Sequence, residues 1–484
     1  MKKLLILICT IFFLVFWIRG AVVLDPDFGW HLKMGQLILA HGIPKTDPFS
    51  YTMPSFHAVD HEWLTDVFIA LTFPIFGLVG LSAIVAAITV GSLVLGYLTL
   101  SKRVCQYGIG LLILSGTTML VFVGVRPQIL TWFFFAFTLW MLSKKKFFGV
   151  FPLLFLLWAN VHGGFPIGLA ALGMYTVGMW IEKRRLPVYH LSIFLLSILV
   201  TFVNPYGYHL WQEVWSSMSD RALRQYIIEW QPSIFAFDLF SLWLGFGVII
   251  GILLLFWRKV GIVSHAFFFL LSLMALSSMR NIVLWFVFAT VYMGMLCEAL
   301  VASLDKEQLV RLRIANRFVI GGIALCCLVQ MGITLMAVRD MRQERMYPVQ
   351  EVAYLKSHPF YGHLFTLYNW GGYVIWQLPN EKEFIDGRMP SWRQNIAGES
   401  SYAFGDYLAL GMGKLSFTKV AKEYNITTLL LPKEKTDTKS RKLPAFLKWL
   451  MPTDQSSFSL SKAALKAGFH PIFSGEVGTI YQRY

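Results

Sequence analysis

Charge is scarce in this sequence: Asp, Glu, Lys and Arg make up 14% of its 484 residues, little more than half of what a soluble domain carries. With 56% hydrophobic residues and a mean hydropathy of +0.59, that scarcity excludes an ordinary soluble enzyme and describes a polytopic membrane protein. Cysteine is also sparse. The five cysteines end at Cys327, so the polar C-terminal region cannot hold a disulfide, and no C-x-x-C pair or Cys/His cluster points to zinc. No P-loop is present, which argues against direct use of ATP. Neither a repeat period nor a low-complexity tract is found. Basic residues outnumber acidic ones, 42 to 27, but they fall in short clusters between apolar runs. The excess therefore reports membrane topology and not nucleic-acid binding.

What is abundant is long apolar runs. "MKKLLILICTIFFLVFWIRGAVV" has a basic start and an apolar core but no convincing small-x-small cleavage site, so it is expected to stay as a first span. Further spans are expected at 79–100, 107–125, 128–142, 147–160, 165–181, 189–204, 238–257, 261–277, 282–300 and 317–338, which gives about eleven transmembrane helices. If Lys2 and Lys3 are cytoplasmic, the same side receives "SKR" (101–103), "SKKK" (143–146), "EKRR" (182–185), "WRK" (257–259) and a loop "DKEQLVRLRIANR" (305–317). All are basic, as the positive-inside rule requires. The expected division is a transmembrane domain, 1–338, with an acidic first outer loop, 20–77, and an extracytoplasmic domain, 339–484.

Within that loop, "FGWHLKMGQLILAH" and "HEWLTDVFIALTFPIFG" read as interfacial helices. Beyond about residue 341, helix-like and strand-like stretches alternate, from "PVQEVAYLKSH" to "FHPIFSGEVGTIYQR", predicting a small α/β domain.

This topology gathers the polar ends of spans on one membrane face: Asp25, Asp27, His31, His61, Glu62, Arg126, Asn160, His162, Asn204, Glu229, Arg280 and Asn281. Ionisable groups at that depth are costly and mark a functional site. Asp25 and Asp27 suit either proton abstraction from a hydroxyl or oxygen ligation of a divalent cation; helix capping is the bland alternative. Arg126 and Arg280 suit bidentate phosphate binding, against simple snorkelling to lipid headgroups. In "ANVHGGF", His162 offers a hydrogen bond beside a glycine turn, and the alternative is an ordinary interhelical contact. "HEW" lacks the second histidine of a zinc motif, with Thr65 in its place. Past a predicted strand in the C-terminal domain, Asp386 and Arg388 are candidates for ligand contact or for a structural ion pair in an Asp-Gly turn.

The motifs "DPDFGWHL", "TDPFSYT", "HEWL", "RPQ", "WANVHGGF", "NPYG", "EWQPS" and "YNWGGYVIWQ…EFIDGR" together resemble a set of bacterial multi-pass membrane glycosyltransferases of unassigned substrate. More widely, the architecture resembles the GT-C superfamily of integral membrane glycosyltransferases. In the narrower set an aromatic is expected where this chain has Gly29, a departure expected to loosen local packing. The resemblance implies inverting transfer of a hexosyl or pentosyl group from a polyprenyl-phosphate donor to a glycan, lipid or protein acceptor at the outer face of the bacterial cytoplasmic membrane. Asp27 would be the base, with Asp25 as runner-up. Arg126, Arg280 and His162 would stabilise the leaving phosphate, and His31, His61, Glu62, Asn160, Asn204, Glu229, Asp386 and Arg388 would contact substrate. No cofactor is called for with certainty; Mg or Mn on Asp25 and Asp27 applies only if the reaction is metal-dependent. The rival readings are a polymerase or ligase of lipid-linked glycans and a non-enzymatic lipid or glycan transporter, with a scaffold as the least specific.

Overall fold

A computed structural model describes residues 2–233, 240–396, 399–433 and 459–483. By internal contacts the chain divides into two compact units, Met1–Asp25 with Val59–Asp340, and Pro26–Ala58 with Met341–Tyr484. Residues 26–58, placed by hydropathy in the transmembrane domain, pack with the C-terminal region. Hydropathy assigns a segment by its sequence neighbours, whereas packing joined this one to residues some three hundred positions away.

In chain order the helices up to residue 340 are α1 (Lys2–Val22), α2 (Phe28–His41), α3 (Trp63–Leu98), α4 (Ile109–Phe122), α5 (Gln128–Lys144), α6 (Phe151–Val161), α7 (Phe165–Lys183), α8 (Val188–Val200), α9 (His209–Ser219), α10 (Arg221–Tyr226), α11 (Phe240–Phe256), α12 (Ile262–Ser277), α13 (Ile282–Ser303) and α14 (Lys306–Asp340). All but α2 lie in the first unit. The central part of each expected span falls on one of these helices, with ends that overrun them by up to about four residues; residues 238 and 239 lie outside the described residues. Among the described residues, five helices are long and apolar enough to cross a membrane: α1, α3, α7, α13 with its preceding turn, and α14. Others, including α4, α8 and α12, are shorter apolar helices.

The second expected interfacial helix and the span after it are two helical segments within α3, broken at Gly77, where φ is 59°; glycine adopts that positive φ without steric penalty. One local departure has a clear cause. Residues 305–317, expected as a loop, are mostly the first turns of α14. They contain no glycine or proline, and Lys, Glu, Gln, Leu and Arg are good helix formers.

The core of the first unit is aromatic and aliphatic, with Trp132, Trp158, Trp285, Tyr292, Phe16 and Phe135 fully buried. Polar contacts sort its helices into two ends. At one end Lys144 Nζ donates to the Leu98 carbonyl at 2.8 Å, the Arg103 guanidinium to the Val301 carbonyl at 3.4 Å, and Ser101 pairs with Glu298. The candidate residues of this unit, among them Asp25, Arg126, His162, Glu229 and Arg280, lie at the other end.

The second unit contains α2, α15 (Gln343–Met346), α16 (Val349–Ser357), β1 (His363–Thr366), α17 (Tyr368–Gln377), β2 (Gln394–Ile396), β3 (Glu399–Ser401), α18 (Ala403–Gly411), α19 (Phe417–Glu423), β4 (Ile426–Pro432), α20 (Leu460–Lys466), β5 (His470–Ser474) and β6 (Gly478–Gln482). The sheet order is β1-β4-β6-β5, with β1 parallel to β4 and the other pairings antiparallel. The apolar run of β4 is buried along nearly its whole length, as expected of a strand covered on both faces.

Helix α2 buries Phe28, Trp30, His31, Leu32 and Met34 and packs on α17, so it has a protein-covered face as well as the apolar character expected of an interfacial helix. Gly29 does not loosen this contact. A Cβ at Gly29 would lie 1.9 Å from the Gly372 carbonyl oxygen, so glycine is what permits the two backbones to approach.

Candidate functional site

The first unit places its polar residues through the loops that end its helices. Asp25 follows α1, Arg126 sits in the turn between α4 and α5, and Glu229 lies in a short turn of helix, Ile228–Trp230. Arg126 Nη1 and Nη2 donate to the two Glu229 carboxylate oxygens at 2.5 and 2.9 Å. Its Nε lies 3.4 Å from Asp25 Oδ2. One guanidinium thus bridges two carboxylates from distant parts of the chain. Burial alone would raise the Glu229 carboxyl, but Arg126 outweighs it, assisted by Arg280 and Arg19, and holds the group below the ordinary carboxylate range.

Arg19 is a residue the sequence reading missed. Its guanidinium donates to the Val121 carbonyl at 2.7 Å and to that of Val123. These carbonyls end α4 and have no partner within their own helix. Arg19 thereby caps α4 just ahead of Arg126. The available signal was a single arginine inside an otherwise apolar run, which is costly in a membrane segment unless paired.

Arg280 lies across the Trp230 ring at 5.1 Å, and its carbonyl accepts from Gln128 Nε2 at 3.4 Å. The turn carrying Arg280 is tied to the turn carrying Glu229: Ser278 Oγ donates to the Glu229 carbonyl at 3.1 Å and Met279 N–H to that of Gln231 at 3.0 Å.

A second group surrounds His162, in the turn between α6 and α7. The Gly164 N–H donates to His162 Nδ1 at 2.9 Å. Because Nδ1 accepts there, the neutral ring carries its proton on Nε2. The Thr131 hydroxyl also meets Nδ1, at 2.7 Å, while accepting Trp158 Nε1–H at 3.0 Å. Nε2 faces the Glu62 carboxylate at 3.2 Å, and His61 Nε2 approaches the same oxygen at 3.6 Å. Burial lowers the His162 pKa to about 3, even though Glu62 draws it upward. His162 is therefore a neutral N–H donor at physiological pH. Gly163 is required by crowding: a Cβ there would lie 2.8 Å from the His61 ring and 3.2 Å from Val214.

Asn160 is buried and structural in its contacts, accepting Trp63 Nε1–H at 3.0 Å and donating to the Leu156 and Val203 carbonyls at 2.8 and 3.0 Å. Asn204 closes its own turn, donating to Thr201 and Gly207 carbonyls and accepting the Tyr206 N–H.

Asp27, His31, Asp386 and Arg388 belong to the second unit. Asp27 occupies the N-cap position of α2 without a capping hydrogen bond from its side chain, and it accepts Trp30 Nε1–H at 3.0 Å. The buried His31 ring lies against Trp30. Arg388 pairs with Asp386 through Nε and Nη2, at 2.8 and 2.6 Å, and with Asp47 through Nη1 at 2.8 Å. Trp30, Phe49 and Trp392 surround the guanidinium. Asp47, read from the sequence as a turn residue, also accepts the Ser50 N–H at 2.8 Å.

No family model matches the sequence, and no curated protein matches it. Among solved structures the fold is similar to that of the Archaeoglobus fulgidus oligosaccharyltransferase, crystallised in the apo form. The TM-score is 0.55 at 10% identity, over 88% of this chain and 69% of that one. The likeness is one of fold.

Proposed function

We propose that this chain is a membrane glycosyltransferase of the GT-C kind, transferring a sugar from a polyprenyl-phosphate donor to a glycan, lipid or protein acceptor with inversion at the anomeric carbon. One observation carries the reading. In a fold like that of an oligosaccharyltransferase, Asp25, Arg126 and Glu229 meet at one end of the helical unit, with Arg280 and the His162–Glu62 pair in the same electrostatic neighbourhood. Fold alone does not assign function, so the weight rests on this chemistry.

In the proposed reaction a carboxylate takes the proton of the acceptor hydroxyl as its oxygen bonds to the anomeric carbon. The bond from that carbon to the phosphate oxygen breaks, and its electron pair leaves with the phosphate. Arg126 and Arg280 neutralise the growing phosphate charge, and the His162 Nε2–H supplies an uncharged donor. Asp25 is the favoured base because it shares a unit with both arginines, and Asp27 is the alternative. The Glu229–Arg126 pair is then a latch that substrate phosphate exchanges for itself. Any dependence on Mg or Mn is read from turnover with and without EDTA; among the described residues no group of three His, Cys, Asp or Glu is placed to hold an ion. The proposed setting is the bacterial cytoplasmic membrane, with the N-terminus cytoplasmic and residues 341–484 extracytoplasmic.

A polymerase or ligase of lipid-linked glycans is the second reading, favoured by the arginines, Arg126 and Arg280, gathered at the bundle end. Release of polyprenyl phosphate from labelled donors by purified protein tests both. Loss of turnover in Asp25→Asn or in Asp27→Asn supports the base-dependent transferase, and full activity in both variants supports the ligase.

A further inference from the structure

Helix α9 carries more apolar surface than the protein covers. At about 100° per residue, Leu210 and Val214 share one side, and both are buried. His209, Gln212, Ser216 and Ser219 form an opposite, exposed and polar side. Between them runs a stripe of Tyr208, Trp211, Trp215 and Met218. Trp211 packs on Phe165 and Phe202 and donates its indole N–H to Thr201 at 3.0 Å. Trp215, 74% exposed, and Tyr208, 58% exposed, extend the same stripe outward.

Two contacts locate the stripe. Trp211 stands on Phe202, just after α8, whose Leu195, Leu196 and Leu199 continue through Phe202 and Val203 as exposed apolar surface. Such a run on a membrane protein is its lipid-facing belt. Val203 accepts from Asn160, which fixes this end of the belt as the end that carries His162. The stripe of α9 is therefore continuous with the belt where the belt stops. Beyond α9, Arg221 and Arg224 are exposed, placing cations where lipid phosphates would lie.

We infer that α9 is an interfacial helix, seated with Tyr208, Trp215 and Met218 in the boundary between headgroups and acyl chains and with Arg221 and Arg224 toward lipid phosphate. Amphipathic helices with aromatic residues on the apolar face lie in this zone. The same helix walls the candidate site, because Val214 packs on Gly163 beside His61 and His162. Building on the transferase reading, α9 is the rim over which the phosphate of a lipid-anchored donor passes from the leaflet to the His162 and Arg126 groups, while its chain stays in lipid.

Nitroxide labels at Met218→Cys and Ser216→Cys, in protein whose Cys9, Cys105 and Cys326 are replaced by alanine, test this in nanodiscs. The label at 218 is expected to relax mainly with oxygen and the label at 216 mainly with a water-soluble nickel chelate. Aqueous behaviour at both positions overturns the inference. Neither label depends on turnover, so this result stands even if no sugar transfer is found. Where transfer is found, Trp215→Glu should raise KM for the lipid-linked donor about tenfold with kcat little changed, while Trp215→Phe retains the parent value. An unchanged KM in Trp215→Glu removes the rim role and leaves α9 without a part in donor entry.

Discussion

Two arginines in this molecule are each held between two carboxylates, and their surroundings differ. Arg388 sits between Asp386 and Asp47, both with side chains 0% exposed, and is walled by Trp30, Phe49 and Trp392. Arg126 sits between Asp25 and Glu229, and the Glu229 side chain is 35% exposed on a single helical turn. A buried, aromatic-walled triad ties Asp47 in the N-terminal segment to Asp386 and Arg388, with both carboxylates shut off from water. The triad with one partly exposed member on a short turn leaves that carboxylate accessible for exchange. Composition does not distinguish a clasp from a working cation; the exposure and tethering of the counter-ion do.

The largest effect is expected at the clasp. Arg388→Ala leaves two buried carboxylates without their cation and should cost about 3–5 kcal/mol, read as loss of the thermal transition of the second unit. Arg126→Ala should cost less stability, since Glu229 can turn to water, but should lower turnover by about 100-fold or more. If Arg126→Ala unfolds the protein as severely as Arg388→Ala, the contrast between the two triads fails. Asp25→Asn should reduce kcat by at least about 100-fold, with Asp27→Asn milder; the reverse order returns the base to Asp27.

A smaller effect concerns acid stability. His162 has a folded pKa of about 3, below its ordinary 6.5, so the unfolded chain binds the extra proton first. The stability from keeping it neutral is fully present above about pH 6.5 and is lost progressively as pH falls toward 3. His162→Gln should flatten that acid limb in thermal unfolding between pH 7.5 and 4. An unchanged limb assigns the loss to other groups.

Much of the helical layout was legible because apolar runs and basic loops report membrane geometry directly, and α1, α7 and α13 lie close to where hydropathy puts them. Residues 305–317 were misread because basic clusters between spans suggest loops, although the local propensities favour a helix. Gly29 was misread because a missing aromatic suggests a gap, whereas the contact is made by the Gly372 backbone. The site was legible as a set of residue types and not as a set of pairs. Arg126 and Glu229 are 103 positions apart, and no local pattern encodes which carboxylate a guanidinium will choose. Arg19 is a lone arginine within an apolar run, and only its bonds to α4 carbonyls give it a role. Asp386 and Arg388 were correctly noticed as a pair, while Asp47, which completes their clasp, was hidden in an ordinary Asp-Pro turn.

The central claim is that the cations at the polar end of the helical unit receive a lipid phosphate. Native mass spectrometry of the purified protein after exposure to a polyprenyl-phosphate lipid tests it most directly, comparing the parent chain with an Arg126→Ala, Arg280→Ala double variant. A bound lipid is expected in the parent, and its loss in a double variant that remains folded. Equal binding in both, or none in a folded parent, would contradict it.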